Sequence, residues 1–94
     1  MSQYGRIGRR DENEPEIVRA LKQIGASVIR LHNCDLLVGY RGKNILIELK
    51  DGAKPPSARK LTDKQLIFRA EWRGQYDVAH SIDDVLQIIR RLTT

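Results

Sequence analysis

The run Asn44-Ile-Leu-Ile-Glu-Leu-Lys50 constrains this chain more than any other segment. It alternates with the period of a strand, so Ile45, Ile47 and Leu49 project to one side and Leu46, Glu48 and Lys50 to the other. Just upstream, Asp35-Leu-Leu-Val-Gly-Tyr40 reads as a second strand, and Arg41-Gly42-Lys43 between the two is a hairpin signal. With Arg41 and Gly42 as the central turn residues, Tyr40 pairs with Lys43, Val38 with Ile45, and Asp35 falls opposite Glu48. Directly opposed residues project on the same face, which puts the two carboxylates roughly 5 Å apart at Cβ. A three-residue turn would shift the register by one and send them to different faces.

Like charges directly opposed destabilise a sheet, so something must offset the repulsion. A raised pKa does so, and so does a cation. Mg²⁺ suits the second role, because it is a hard ion that binds one or two carboxylates and keeps several waters. Lys50 lies two residues beyond Glu48 on the same face, where an ammonium can polarise water or stabilise charge on a phosphate, and the Leu49 carbonyl offers one more oxygen ligand. The plain alternative is an exposed Glu48–Lys50 pair on an edge strand, with Asp35 in a turn. The strongly apolar flanks and the basic loop that follows weigh against it.

The remaining elements can be read around this hairpin. A helix begins at Asn13, a candidate cap, with Pro15 early in it and Gly25 as its stop. Ile17, Val18, Leu21 and Ile24 form its apolar stripe, into which Glu14 falls, while Glu16 faces away. Glu14 is either placed for the positive end of the helix dipole or aimed into a site. Ala26–Leu31 is a further strand. Asp51–Lys60 is a loop carrying Lys54, Arg59 and Lys60, with Pro55-Pro56 expected to exclude regular structure. A helix over Thr62–Arg73 places Leu61, Gln65, Phe68 and Trp72 on one face, with Thr62-x-x-Gln65 forming a capping box. Phe68, Trp72 and Tyr76 are expected in the core. A strand at Tyr76–His80 and a third helix, capped by Ser81 with Ile82, Val85, Leu86, Ile89 and Leu92 inward, complete an α-β-β-β-α-β-α order in a single α/β domain of 94 residues.

Charge narrows the partner. The chain has 17 Lys and Arg against 12 Asp and Glu, a net charge of +5, with an isoelectric point near 9.7, which favours a polyanion such as nucleic acid. Arg6, Arg9 and Arg10 make residues 1–10 a basic arm, and Arg41 and Lys43 put charge on the hairpin tip; each set either contacts phosphate or is simply solvated. Aromatics amount to only 5%, too few for an obvious stacking platform. The one cysteine, Cys34, excludes an internal disulfide and reads as a small buried hydrophobe. With His32 and His80 far apart, a thiolate or imidazole zinc site is not expected. No apolar run approaches the roughly 18 residues of a membrane span, and no secretory leader is visible, so a reducing cytoplasm is the expected compartment.

Asp35 followed by Glu48-Leu49-Lys50 at the end of an apolar strand resembles the signature of the PD-(D/E)XK nucleases. The order of elements fits their restriction-endonuclease-like core, a mixed sheet flanked by helices. The chain is most similar to the VRR-NUC subgroup, especially its small stand-alone phage-type members, over roughly residues 13–89. Glu14 matches their acidic residue on the first helix and Gln65 their glutamine after the Glu-x-Lys strand. Asp35 follows Asn33-Cys34, so the name-giving Pro-Asp pair is absent. The resemblance implies hydrolysis of DNA phosphodiesters. Mg²⁺ (with Mn²⁺ as a substitute) would be held by Asp35, Glu48 and the Leu49 carbonyl, with Glu14 assisting through water and Lys50 orienting the attacking water. It implies branched or double-stranded DNA as substrate, Holliday junctions in particular, and a homodimer, with elements exchanged between subunits. The arm and the Lys54–Lys60 loop, with Arg59 between them, would bind the backbone without reading sequence. A flap-type or nonspecific nuclease is the alternative within the enzyme class. A non-catalytic nucleic-acid-binding module on the same fold and a protein-interaction domain are the alternatives outside it.

Overall fold

A computed structural model of the chain describes residues 12–32 and 34–94. Its elements are α1 (Glu14–Gln23), β1 (Ser27–Arg30), β2 (Leu36–Tyr40), β3 (Lys43–Leu49), α2 (Asp63–Glu71), β4 (Tyr76–Ala79) and α3 (Ile82–Leu92). This is an α/β fold with the expected order. The four strands form one mixed sheet in the order β1-β2-β3-β4: the first three are antiparallel, and β4 runs parallel to β3. The basic arm with Arg6, Arg9 and Arg10 lies outside the described residues. No helix among the described residues is long and apolar enough to cross a membrane.

The hairpin has the register that the two-residue turn demands. Tyr40 pairs with Lys43, Val38 with Ile45 and Leu36 with Ile47. Arg41 and Gly42 both have positive φ, 52° and 82°, the backbone of the tight hairpin turns whose twist matches that of the flanking strands. β3 is therefore an inner strand, hydrogen-bonded on both sides.

Alternation along the strands divides the sheet into two faces. Leu36, Val38, Ile45, Ile47, Leu49 and Ala79 share one, and all are buried against α1 and α3. Ile17, Val18 and Leu21 of α1 and Val85, Ile88, Ile89 and Leu92 of α3 close this core, with Ile88 an addition to the expected stripe. Burying such aliphatic side chains contributes roughly 1.5–3 kcal/mol each. The other face carries Leu46, Glu48 and Tyr76 and is overlaid by α2, whose Phe68 ring sits 6.1 Å from that of Tyr76.

Four expectations change. Asn13 precedes α1 but makes no side-chain cap; its amide is drawn instead to carbonyls at the ends of β3 and β4. Pro55-Pro56 does not exclude regular structure: a 3-10 helix runs over Pro56–Arg59, because a proline in the first turn has no N–H to leave unpaired. Ile24 is exposed, since the helix has already ended there and Gly25 turns the chain with φ 93°. Phe68, Trp72 and Tyr76 are not core residues. α2 has no buried residue and leaves Trp72, Leu66 and Ile67 exposed, because it is short and meets Glu48 on the sheet with Gln65 rather than with an apolar side chain.

Candidate active site

The site is assembled at one end of the sheet, where β3 ends, β2 begins and α1 starts. Asn13 pins the helix there: its Nδ2 donates to the carbonyls of His80 at 3.2 Å and Lys50 at 3.4 Å. That tie brings Glu14 to the end of the sheet that holds Asp35, Glu48 and Lys50. Asp35 lies one residue before β2, and its Oδ2 accepts from the Leu49 amide at 2.8 Å. The side chain thus bridges to β3 just where the strand ladder stops.

Glu48 is only 4% exposed although it carries a carboxyl group and sits in mid-sheet. Gln65 of α2 reaches it, donating from Nε2 to Glu48 Oε2 at 2.9 Å. The same amide accepts through Oε1 from Lys50 Nζ at 2.9 Å. One glutamine therefore spaces the carboxylate and the ammonium. Gln65 is itself held by the capping box of α2: its Oε1 accepts from the Thr62 N–H at 2.8 Å, and its N–H donates to Thr62 Oγ1 at 3.2 Å. The side chain that closes the expected capping box also contacts Glu48 and Lys50.

Two neighbours register the negative charge gathered here. The Cys34 thiol is pushed up to about 12, first by burial, then by the charge of Glu48 and, more weakly, of Asp35. The Tyr76 hydroxyl is also pushed up to about 12, again by burial first, then by Glu48, with Asp35 contributing and Arg69 opposing. Both groups stay protonated at neutral pH. Both feel the same two carboxylates, as expected if Asp35 and Glu48 share a site.

Glu14 is 3% exposed, and its Oε2 accepts from Arg30 Nε at 2.6 Å. Sequence reasoning misses Arg30; its one visible signal is its position as the last residue of β1, the strand beside Asp35. In the sequence Cys34 and Tyr76 also read as packing residues, and the proximity of Tyr76 to Glu48 cannot be seen without the register between β3 and β4. The basic residues divide. Lys54 and Lys60 are exposed in the connection that follows Lys50. Arg59 is half-buried, with its Nε enclosed and without a hydrogen-bond partner. Arg41 and Lys43 are not brought to the site: the hairpin tip lies at the other end of β3, about 20 Å away by strand rise, with the Arg41 guanidinium over the Tyr40 ring.

Among the described residues no group of three or more His, Cys, Asp and Glu side chains is gathered to hold a metal ion. The donor set that remains is Asp35, Glu48 and the Leu49 carbonyl. These are hard oxygens in the number that Mg²⁺ takes from protein while retaining its waters. The residues fit such an ion. No family model, curated protein or solved structure matches this chain.

Proposed function

We propose that this chain is a metal-dependent endodeoxyribonuclease of the PD-(D/E)XK type, similar to the stand-alone VRR-NUC enzymes, and that it resolves branched DNA as a homodimer. The observation that carries the reading is the Gln65 bridge, which holds Glu48 and Lys50 in fixed relation on an inner strand. A chance Glu-x-Lys pair on a surface strand would have neither the burial nor the dedicated spacer.

Asp35, Glu48 and the Leu49 carbonyl would hold Mg²⁺, with Mn²⁺ as a substitute. The ion's contribution is to acidify a water and to neutralise charge on the scissile phosphate. The protein's own part is positioning. Gln65 keeps the Lys50 ammonium from collapsing onto Glu48, so that Nζ stays available to orient the attacking water and to stabilise charge on the phosphate. Arg30 neutralises Glu14, which limits the repulsion that a third carboxylate would add. Lys54 and Lys60, exposed on the connection leaving Lys50, would meet the phosphate backbone. A C₂ dimer suits the two symmetric cuts that junction resolution requires. The exposed Leu66 and Ile67 would suit an assembly, since no residue of α2 is buried within one chain.

The test is cleavage of a synthetic four-way junction, a flap and a plain duplex with Mg²⁺ or EDTA, comparing wild type with Lys50→Ala. Expected are paired, metal-dependent cuts at the junction, falling by roughly two to three orders of magnitude in the variant. Equal cutting of all substrates would remove the junction specificity. Metal-independent binding without cutting would replace the enzyme by a binding module.

A further inference from the structure

We infer that a second site lies at the end of β3 away from the proposed active centre: a groove in which Trp72 stacks against an unpaired base of a single-stranded nucleic acid. The inference rests on the nucleic-acid reading above, and it concerns the part of the substrate that lies away from the cut.

Sheet and helix make the groove together. Leu37 and Leu46 pair across β2 and β3, so both project on the face that α2 overlays. α2 ends at Glu71, and Trp72 and Gly74 of the turn that follows line an open groove of about 440 Å³ with that leucine pair. Its volume is ordinary for a site that takes a small flat ligand. The hairpin tip, with Lys43 and Asn44, forms its outer end.

The indole is held in place. Its Nε1 donates to the Gln75 carbonyl at 3.1 Å, and its ring stacks on Phe68 with centroids 5.9 Å apart and planes 15° from parallel. The chain passes so close beside it that a Cβ at position 74 would stand 2.9 Å from Nε1, so glycine is what lets the ring lie there. Gln75 is anchored in turn, its Nε2 donating to the Asn44 carbonyl at 2.6 Å. Trp72 is nevertheless 43% exposed. With its one N–H already spent, the indole has only flat apolar surface left to offer. A fixed aromatic surface of that kind is what a base stacks on.

Charge selects the ligand. No carboxylate lines the groove, and its one charged lining residue is the exposed Lys43. Arg69 and Arg73, on either side of Trp72 in the chain, are also exposed, against the single carboxylate of Glu71 between them. In a chain of net charge +5 this favours a polyanion over an apolar peptide. A flat ring that carries phosphate is a nucleotide. A base inside a duplex already has both faces covered by its neighbours, so the groove needs an unpaired one. Stacking uses the π-face that every base has, so it reads no sequence. By strand rise the groove lies about 20 Å from Lys50, on the order of six nucleotides along a stacked strand from the proposed cut. An unpaired arm of a branched substrate supplies a base there; continuous duplex does not.

The chain has one tryptophan, so its intrinsic fluorescence reports this groove alone. The intact protein is titrated in EDTA with a short oligothymidylate, an abasic strand of the same length and a blunt duplex. Expected are saturable quenching by the oligothymidylate, about ten-fold weaker binding of the abasic strand, and no quenching by the duplex. Trp72→Leu, followed by the anisotropy of a labelled strand, should lose about ten-fold in affinity while its melting curve shows a folded protein. Lys43→Ser should lower the slope of log affinity against log salt by about 0.7, the share of one phosphate on a single strand. Equal quenching by the duplex or the abasic strand, or full affinity in Trp72→Leu, would overturn the proposal. So would a fluorescence change on raising the protein concentration alone without a response to the oligothymidylate, which would give the groove to a second copy of the chain. Binding is read without metal, so a chain that takes the strand but cuts no DNA would sink the nuclease reading alone. A chain that cuts junctions without this quenching would sink only the groove.

Discussion

The two faces of β3 solve opposite problems with alternate residues of one strand. Ile45, Ile47 and Leu49 look into a core closed by α1 and α3. Leu46, Glu48 and Lys50 look toward α2, a helix of nine residues with none buried. On the first face, packing supplies stability without chemistry. On the second, a buried carboxylate, a glutamine and a lysine are held by directed hydrogen bonds, and the covering helix gains little from burial. One face can therefore carry the fold while the other carries a buried charge, because the same backbone ladder serves both. The contrast is testable: substitutions on the core face should cost stability, and those on the α2 face should cost activity.

The largest effect is expected on the core face. Ile47 is fully buried, and Ile47→Ala should destabilise the protein by about 3–4 kcal/mol, read by urea or thermal unfolding. A much smaller loss would mean that the core can collapse around the cavity. One residue along the chain, Glu48→Gln should do the reverse. It removes a buried carboxyl group while keeping its shape, so the melting temperature should hold or rise, and junction cleavage should fall about a hundred-fold or more. A variant that is both inactive and strongly unfolded would show that Glu48 is structural and would erase the contrast between faces.

Much of this arrangement is legible in the amino-acid sequence, because it depends on local rules. The period-two run sets the two faces, the Arg41-Gly42 turn sets the register, and the register brings Asp35 to the end of β3, where it accepts from the Leu49 N–H. Thr62-x-x-Gln65 signals a helix start, and that local motif also fixes the residue bridging Glu48 and Lys50. What the sequence hides depends on long-range placement. Asn13 reads as a cap, because capping is what an asparagine before a helix does; only the folded ends of β3 and β4 offer it better-placed carbonyls. Arg30 carries no sequence mark of its bond to Glu14, sixteen residues away. Apolarity alone assigns Phe68, Trp72 and Tyr76 to the core, yet the face that α2 covers is polar at its centre.

An intermediate effect should appear at alkaline pH. Cys34 holds its proton to about 12 in the folded chain against an ordinary value of 9.0, and Tyr76 to about 12 against 10.0. Both bind the proton more tightly when folded, so neither costs stability below pH 9, and stability should fall as pH climbs from 9 toward 12. Alkylation of Cys34 at pH 9 should be slow in the native protein and several-fold faster in Glu48→Gln, since removing that charge lowers the thiol's pKa while burial still holds it above 9.0. Equal rates in the two proteins would place Glu48 away from Cys34.

The smallest effect falls at the junction of stability and chemistry. Thr62→Ala removes the acceptor for the Gln65 N–H and should cost about 1 kcal/mol in unfolding. The core face is untouched, so most of the fold should be indifferent. Gln65 keeps its bond to the Thr62 backbone N–H, which survives the substitution, so its amide should loosen without being lost. Cleavage should therefore fall by about three- to ten-fold, well short of the loss expected for Lys50→Ala. The fall should lie in turnover rather than in DNA affinity, because the spacing of Glu48 and Lys50 is disturbed while the exposed basic side chains are not. A variant with wild-type turnover would mean that Gln65 is positioned by Glu48 and Lys50, and the capping box would then be a passenger on the site rather than its support.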